Sequence, residues 1–146
     1  MSHEPEKKDL GPPVSSLVAS NPIVMRPENT VKEAIQVMAE HNIGAVVIVD
    51  DKFKPIGIFT ERDLLIKVCA KDLDPEKVKL EEVMTRDPVT IHEDTPAMQA
   101  LEIMMNFGFR HLPIVDENGV LVGVISIRDL SKPMVEVDIS ELHSAG

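Results

Sequence analysis

Gly57-Ile58-Phe59-Thr60-Glu61-Arg62-Asp63-Leu64 and Gly123-Val124-Ile125-Ser126-Ile127-Arg128-Asp129-Leu130 stand 66 positions apart and read alike. In each, a glycine and apolar residues predict the end of a strand. A hydroxyl then stands where a helix needs its cap, and a basic and an acidic residue fill the first turn. At the same offset an ungapped match carries residues 17–65 onto 83–131. Pro22 meets Pro88, Ala34 meets Ala100, Met38 meets Met104, and Ile48-Val49-Asp50 meets Ile114-Val115-Asp116. Two copies are too few for a solenoid, so they are expected to pack face to face about one pseudo-symmetric core.

Each copy predicts the same elements. A short strand (Ile23–Met25; Val89–Ile91) follows Asn-Pro or Asp-Pro, which disfavours helix just before it. A helix follows over Val31–His41 and over Pro96–Asn106, with apolar stripes Val31, Ala34, Ile35, Met38 and Ala97, Ala100, Leu101, Met104. Asn29 or Thr30 caps the first, and Thr95 with Pro96 reads as cap and first position of the second. Continuous apolar strands (Ala45–Val49; Leu112–Val115) imply burial on both faces or at a repeat interface. Polar turns, the second with Asn118-Gly119, lead to return strands over Ile56–Phe59 and Val120–Ile125, then to helices over Glu61–Ala70 and Ile127–Leu130. The expected fold is α/β, two pseudo-symmetric repeats each with a small sheet and two helices. The expected divisions are a tail over 1–13, repeats over 14–71 and 80–131, a linker over 72–79, and a tail over 132–146. Val135–Ile139 alternates well enough for an extra strand.

Composition narrows the function. The 146-residue chain has the size of one domain with a real core. No apolar run approaches the roughly 20 residues of a membrane span. Met1–Pro13 lacks an apolar stretch behind a basic start, so a cytoplasmic protein is expected. A formal charge of −10 and the absence of Tyr and Trp oppose nucleic-acid binding, which needs clustered cations and stacking aromatics. The single cysteine, Cys69, excludes an internal disulfide, and in its apolar run it reads as a small buried hydrophobe. His3, His41, His92 and His143 lack metal-ligand spacing, and no glycine-rich phosphate loop is present. No nucleophile–base set is suggested by spacing, so neither catalytic residue, metal nor cofactor is expected. Met38, Met98, Met104 and Met105 fall at helical intervals and read as core or dimer contact.

The two strand–hydroxyl–Arg–Asp segments carry the sharpest chemistry. Free N–H groups and a capping hydroxyl suit an anionic oxygen, an arginine adds a charge-assisted bond, and an aspartate can accept both hydroxyls of a vicinal diol. The plainer reading is a capping arrangement with Asp favoured by the helix dipole. Physics alone leaves the two open.

The ordered double set resembles the cystathionine-β-synthase-type (CBS) domain, which occurs in tandem as a so-called Bateman module. The resemblance rests on Asn21-Pro22-Ile23-Val24, Ile43 to Asp50 and Gly57 to Leu64, with Asp87-Pro88-Val89-Thr90, Phe109 to Asp116 and Gly123 to Leu130. It implies a regulatory module, not an enzyme, binding an adenosine-containing ligand (AMP, ADP, ATP or S-adenosylmethionine) in clefts between repeats. It assigns Ser126, Arg128 and Asp129 to one cleft, with Val18, Ile23, Ile43, Gly44 and Val124 along the base. Thr60, Arg62 and Asp63 fall to the other, with Met84, Val89, Phe109 and Arg110 opposite. Arg110 and His111 stand where copy one has Gly44 and Ala45, so the Asp129 cleft is expected to be the tighter, with His111 adding charge on protonation near ~6.5. A homodimer and a regulated protein partner are expected. The competing reading is a structural dimerisation module with degenerate clefts.

Overall fold

The computed structural model describes residues 9–19 and 21–131. The fold is mixed α/β and built on two small sheets. The first runs β1 (Val24–Met25), β2 (Ala45–Val49), β3 (Pro55–Thr60) and β4 (Thr85–Arg86) in that order. The second runs β5 (Ile91–His92), β6 (His111–Val115) and β7 (Leu121–Ser126). In each sheet the opening strand lies parallel to the next, and the return strand pairs antiparallel to it. Ala45 faces Thr60 and His111 faces Ser126, and the register shifts after Ile48 and again after Ile114. The offset seen in sequence is therefore also the offset in strand register.

The long helices α1 (Val31–His41) and α4 (Ala97–Phe107) keep that offset. Each buries the expected stripe: Val31, Ala34 and Met38 in one, Ala97, Ala100 and Met104 in the other. Full burial of side chains such as Val31 or Met104 stabilises by roughly 1.5–3 kcal/mol each. Thr30 caps α1 in a reciprocal box with Glu33, while Asn29 donates to Glu33 from beside it. The cap of α4 differs from expectation. Pro96, not Thr95, is the extended cap residue, and no side chain bonds to the helix start. Instead Ala97 N–H donates to Pro12 O (2.9 Å) and Met98 N–H to Leu10 O (2.8 Å). The incoming chain thus satisfies the orphan donors of the first turn. Both helices end on a left-handed residue, Asn42 and Gly108, the usual stop.

The segments leading into the two copies change places. The 3-10 turn Val14–Leu17 packs in the second core, with Ile91, Ala100, Leu112 and Ile125. Helix α3 (Leu80–Val83) packs in the first, with Val31, Val46 and Phe59. Val18 lies over Gly123 and Met84 over Gly57; Cβ atoms there would stand 2.8 Å from Val18 Cγ2 and 2.3 Å from Met84 Sδ. Each repeat is thus completed by chain lying ahead of the other in sequence. A third cluster joins the sheets through Ala45, Val47, Val49, Ile58 and Leu121. β2 is consequently buried along its whole length, which accounts for its unbroken apolar sequence. Phe53 takes the left-handed conformation (φ 61°) that Gly119 takes in copy two. Its carbonyl accepts the Leu121 N–H and its ring joins the third cluster, contacts that offset the cost of a non-glycine residue there.

The region after Thr60 departs from expectation. Glu61–Asp63 forms one α-helical turn (α2), and Leu64–Cys69 winds as a π-helix. The wider winding turns Val68 inward and leaves Leu65, Ile66 and Cys69 exposed, so Cys69 is not the buried hydrophobe its neighbours suggest. Met98 and Met105 likewise lie at the surface, while Met38 and Met104 are core. The suggested strand over 135–139 lies outside the described residues. No helix of the described residues is long and apolar enough to cross a membrane.

Candidate functional site

Ser126 closes β7 and Asp129 follows in the helical turn over 127–131. Asp129 Oδ2 accepts from Ser126 N (2.9 Å) and Ser126 Oγ (3.0 Å), and Asp129 N donates back to Ser126 Oγ (3.2 Å). Among the described residues, Oδ1 accepts no hydrogen bond, and the side chain is half-buried. Val18 flanks the same strand at Gly123. Arg110 ties this turn to the start of β6, since its carbonyl accepts the Ile127 N–H (2.8 Å). In copy one the Gly44 carbonyl takes the same role for Glu61 N–H (3.0 Å).

His111 brings the two copies together. A Cβ on Gly44 would stand 3.4 Å from His111 Nε2 and 3.0 Å from Glu61 Oε1. Gly44 therefore leaves room over the backbone between an imidazole from one copy and a carboxylate from the other. Burial holds the His111 imidazole below the ordinary histidine value. The Glu61 and Asp129 carboxylates oppose this, and the Arg110 guanidinium adds to it. Protonation therefore falls below pH ~6.5 rather than near it, which corrects the expectation from sequence. Gly44, Arg110, His111 and Asp129 thus share one neighbourhood, and Glu61 belongs with them.

Asp63 occupies the matched place in copy one but is buried. Its Oδ2 accepts from Thr60 N (3.0 Å) and Thr60 Oγ1 (3.1 Å). Its Oδ1 accepts from Lys67 Nζ (3.0 Å) and Thr85 Oγ1 (3.3 Å). Met84 lies against β3 at Gly57. The remaining expected residues are more dispersed. Arg62, Arg110 and Arg128 are exposed, Ile23 is half-buried, and Ile43 packs on the first core. Val124 joins the cluster between the sheets. Val89 and Phe109 are surface residues, and Phe109 stacks on Phe107 with ring centres 5.7 Å apart.

Three residues of the clefts escaped the reading by motif: Glu61, Lys67 and Thr85. A comparison of unlike positions would have found Glu61 and Thr85, because Ile127 and Ala19 stand in their places in the other copy, while Lys67 lies past the end of the match. The fold also gathers His92, Glu93 and Glu117, whose ligand atoms lie within 4.8 Å of one another. Sequence spacing hides that grouping. His92 Nδ1 is engaged there by the Asp94 N–H at 3.1 Å.

The profile of the CBS domain matches this chain twice, over residues 14–69 and 80–136. An uncharacterised 17.7 kDa protein of Acidianus ambivalens is 41% identical over 124 residues, which covers 85% of this chain and 74% of that one. Two further curated relatives are longer, the match spanning 60% and 22% of their lengths. A CBS domain protein of Pyrobaculum aerophilum, solved in complex with AMP, superposes with a TM-score of 0.74 at 30% identity, covering 80% of this chain and 88% of that one. The CBS domain pair of protein MJ0100 was solved with 5′-methylthioadenosine and S-adenosyl-L-methionine. It superposes with a TM-score of 0.77 at 30% identity, covering 85% of this chain and 96% of that one. With the profile matched on both repeats and the fold doubly repeated with its leading segments exchanged, the chain belongs to the CBS domain family and carries two copies of the domain.

Proposed function

We propose that this chain is a regulatory module that binds an adenosine-containing ligand in the Asp129 cleft, and that occupancy alters its shape or its contacts with a partner. The observation that carries this reading is the Asp129 carboxylate. Ser126 fixes one oxygen, and the described residues leave the other unengaged beside Arg110 and His111. A carboxylate so held can accept a ribose diol, while Arg110 and Arg128 supply charge for a phosphate or carboxylate. Relatives solved with AMP, or with 5′-methylthioadenosine and S-adenosyl-L-methionine, support the class of ligand. A carboxylate, a capping hydroxyl and arginines that hold a ribose and a charged group recognise a ligand, and recognition is what a regulatory role requires.

Calorimetric titration with AMP, ADP, ATP, S-adenosylmethionine and adenosine tests the proposal. Micromolar affinity, about −8 kcal/mol, is expected for at least one of them. Asp129→Ala removes a charged hydrogen-bond partner, worth roughly 1.5–3 kcal/mol, and should weaken that ligand about tenfold to a hundredfold. No heat and no thermal shift at millimolar ligand would leave only a structural dimerisation module. The same protein is proposed to be a cytoplasmic homodimer, joined through the apolar surface that Met98, Met105, Phe107, Leu65 and Ile66 expose. A monomer of 16.1 kDa by light scattering at micromolar concentration would contradict the dimer.

A further inference from the structure

We infer that Lys67 occupies the acceptor of the second cleft from within, so that each chain takes one adenosyl ligand, at Asp129, and the Asp63 cleft opens only when Lys67 is removed. The inference rests on the adenosyl reading above and adds a count of sites and the residue that sets it.

The hydrogen-bond inventory at Asp63 carries the argument. An ionised carboxylate offers about four acceptor positions. Thr60 N, Thr60 Oγ1, Thr85 Oγ1 and Lys67 Nζ supply four donors. The lysine is equally committed. An ammonium has three hydrogens, and Lys67 Nζ has three acceptors: Asp63 Oδ1 at 3.0 Å, Val83 O at 3.0 Å and Thr85 Oγ1 at 3.3 Å. Both charged groups are therefore saturated by one another, by Thr60 and by the α3–β4 segment. A ribose diol needs two acceptor positions on the carboxylate. At Asp63 it must displace the lysine, the threonine or both. At Asp129 the residue matched to Thr85 is Ala19, whose side chain donates nothing, and no described residue bonds to Oδ1. Burial sharpens the contrast, because Asp63 is 8% exposed while Asp129 is half-buried.

Lys67 also stands where it can be replaced without unfolding the chain. It follows Asp63 by four residues on the same helical segment, and its side chain remains 37% exposed. Replacing it with methionine keeps the length of the stem while removing the charge, so the Thr60–Asp63 box should stay intact. Asp63 would then lose its charged partner, and the exposed Thr85 hydroxyl, bonded at 3.3 Å, is the one donor that a ribose diol must still displace.

Calorimetry with AMP and with S-adenosylmethionine as probes tests this on the full chain, with circular dichroism confirming that each variant is folded. The expected result is one site per chain in the parent protein, lost in Asp129→Ala. Adding Lys67→Met to Asp129→Ala should restore a site, at least tenfold tighter than any binding by Asp129→Ala alone. A further Asp63→Ala change should abolish it. Two sites of similar affinity in the parent would overturn the inference while leaving the adenosyl reading intact. So would a Lys67→Met, Asp129→Ala protein that is folded and binds neither probe although the parent binds one. Failure of both probes with the parent and with Lys67→Met alike would overturn the adenosyl reading and the site count together.

Discussion

Asp63→Ala and Asp129→Ala are the same chemical change at matched positions of the repeat, yet they should cost different amounts of stability. Each removes the reciprocal cap at the start of its helical segment, Thr60–Asp63 or Ser126–Asp129. A lost cap costs about 1 kcal/mol. Asp129→Ala should cost little more than that. Asp63→Ala also deprives Lys67 and Thr85 of their acceptor in a buried place. A charge-assisted bond is worth roughly 1.5–3 kcal/mol. Because the Lys67 side chain is 37% exposed, water compensates part of its loss. About 1–2 kcal/mol beyond the cap is therefore expected, giving a total of roughly 2–3 kcal/mol. Both changes remove one negative charge from a chain of formal charge −10, so the relief of self-repulsion largely cancels in the comparison. Urea denaturation at pH 7 measures the difference. Circular dichroism is the suitable probe, because the chain has no Trp and no Tyr. The double change Asp63→Ala, Lys67→Met should recover part of the excess, with a coupling of about 1 kcal/mol. Equal losses at the two aspartates, or a coupling indistinguishable from zero, would refute the view that Lys67 and Asp63 form a working pair.

Two further outcomes follow from the packing and the charges. Gly123→Ala puts a Cβ 2.8 Å from the stiff Val18 side chain and should cost about 1–3 kcal/mol by overpacking. Val18→Ala in the same chain should recover much of that loss, and thermal melts showing simple additivity would argue that the exchanged segment does not seat there. Burial lowers the His111 pKa, so just below ~6.5 the unfolded chain binds the proton that the folded chain refuses. His111's contribution to stability is then complete above ~6.5 and declines as pH falls toward its folded value. Melting temperatures of His111→Gln should fall less steeply than those of the parent between pH 7 and 5.5, and parallel slopes would contradict the assignment.

Much of the fold was legible because the copies are constrained alike. The apolar stripe of α1, the wholly buried β2 and the strand–hydroxyl–Asp segments each follow from local periodicity, and the offset of 66 repeats them in register. Boundaries moved where distant chain intervened. The start of α4 sits at Ala97 with Pro96 as cap because Leu10 and Pro12 supply its acceptors, and no local pattern near Thr95 records that. Cys69 came out exposed because a π-helix follows Asp63, and an assumption of 3.6 residues per turn assigns its face wrongly. The exchange of leading segments was invisible for a similar reason. Val14 and Leu80 are apolar residues that open the two repeats, and sequence periodicity cannot say which of two like cores they enter.

The clefts show where identity between copies misleads. Reading the repeat by its matches selects Arg62 with Arg128 and Asp63 with Asp129, which describes two equivalent sites. What separates them lies at the mismatches. Lys67, which lies past the end of the match, and Thr85 against Ala19 saturate Asp63, and Glu61 against Ile127 places a carboxylate beside His111 on one side only. A duplicated core needs its matched residues to fold, so those residues report packing and capping that both halves share. A pair of clefts free to diverge records its differences at positions that packing does not fix, such as the half-exposed Lys67 and the exposed Thr85 and Glu61. On the reading proposed above, the identities locate the two sites, and the non-identities beside them determine which one is open.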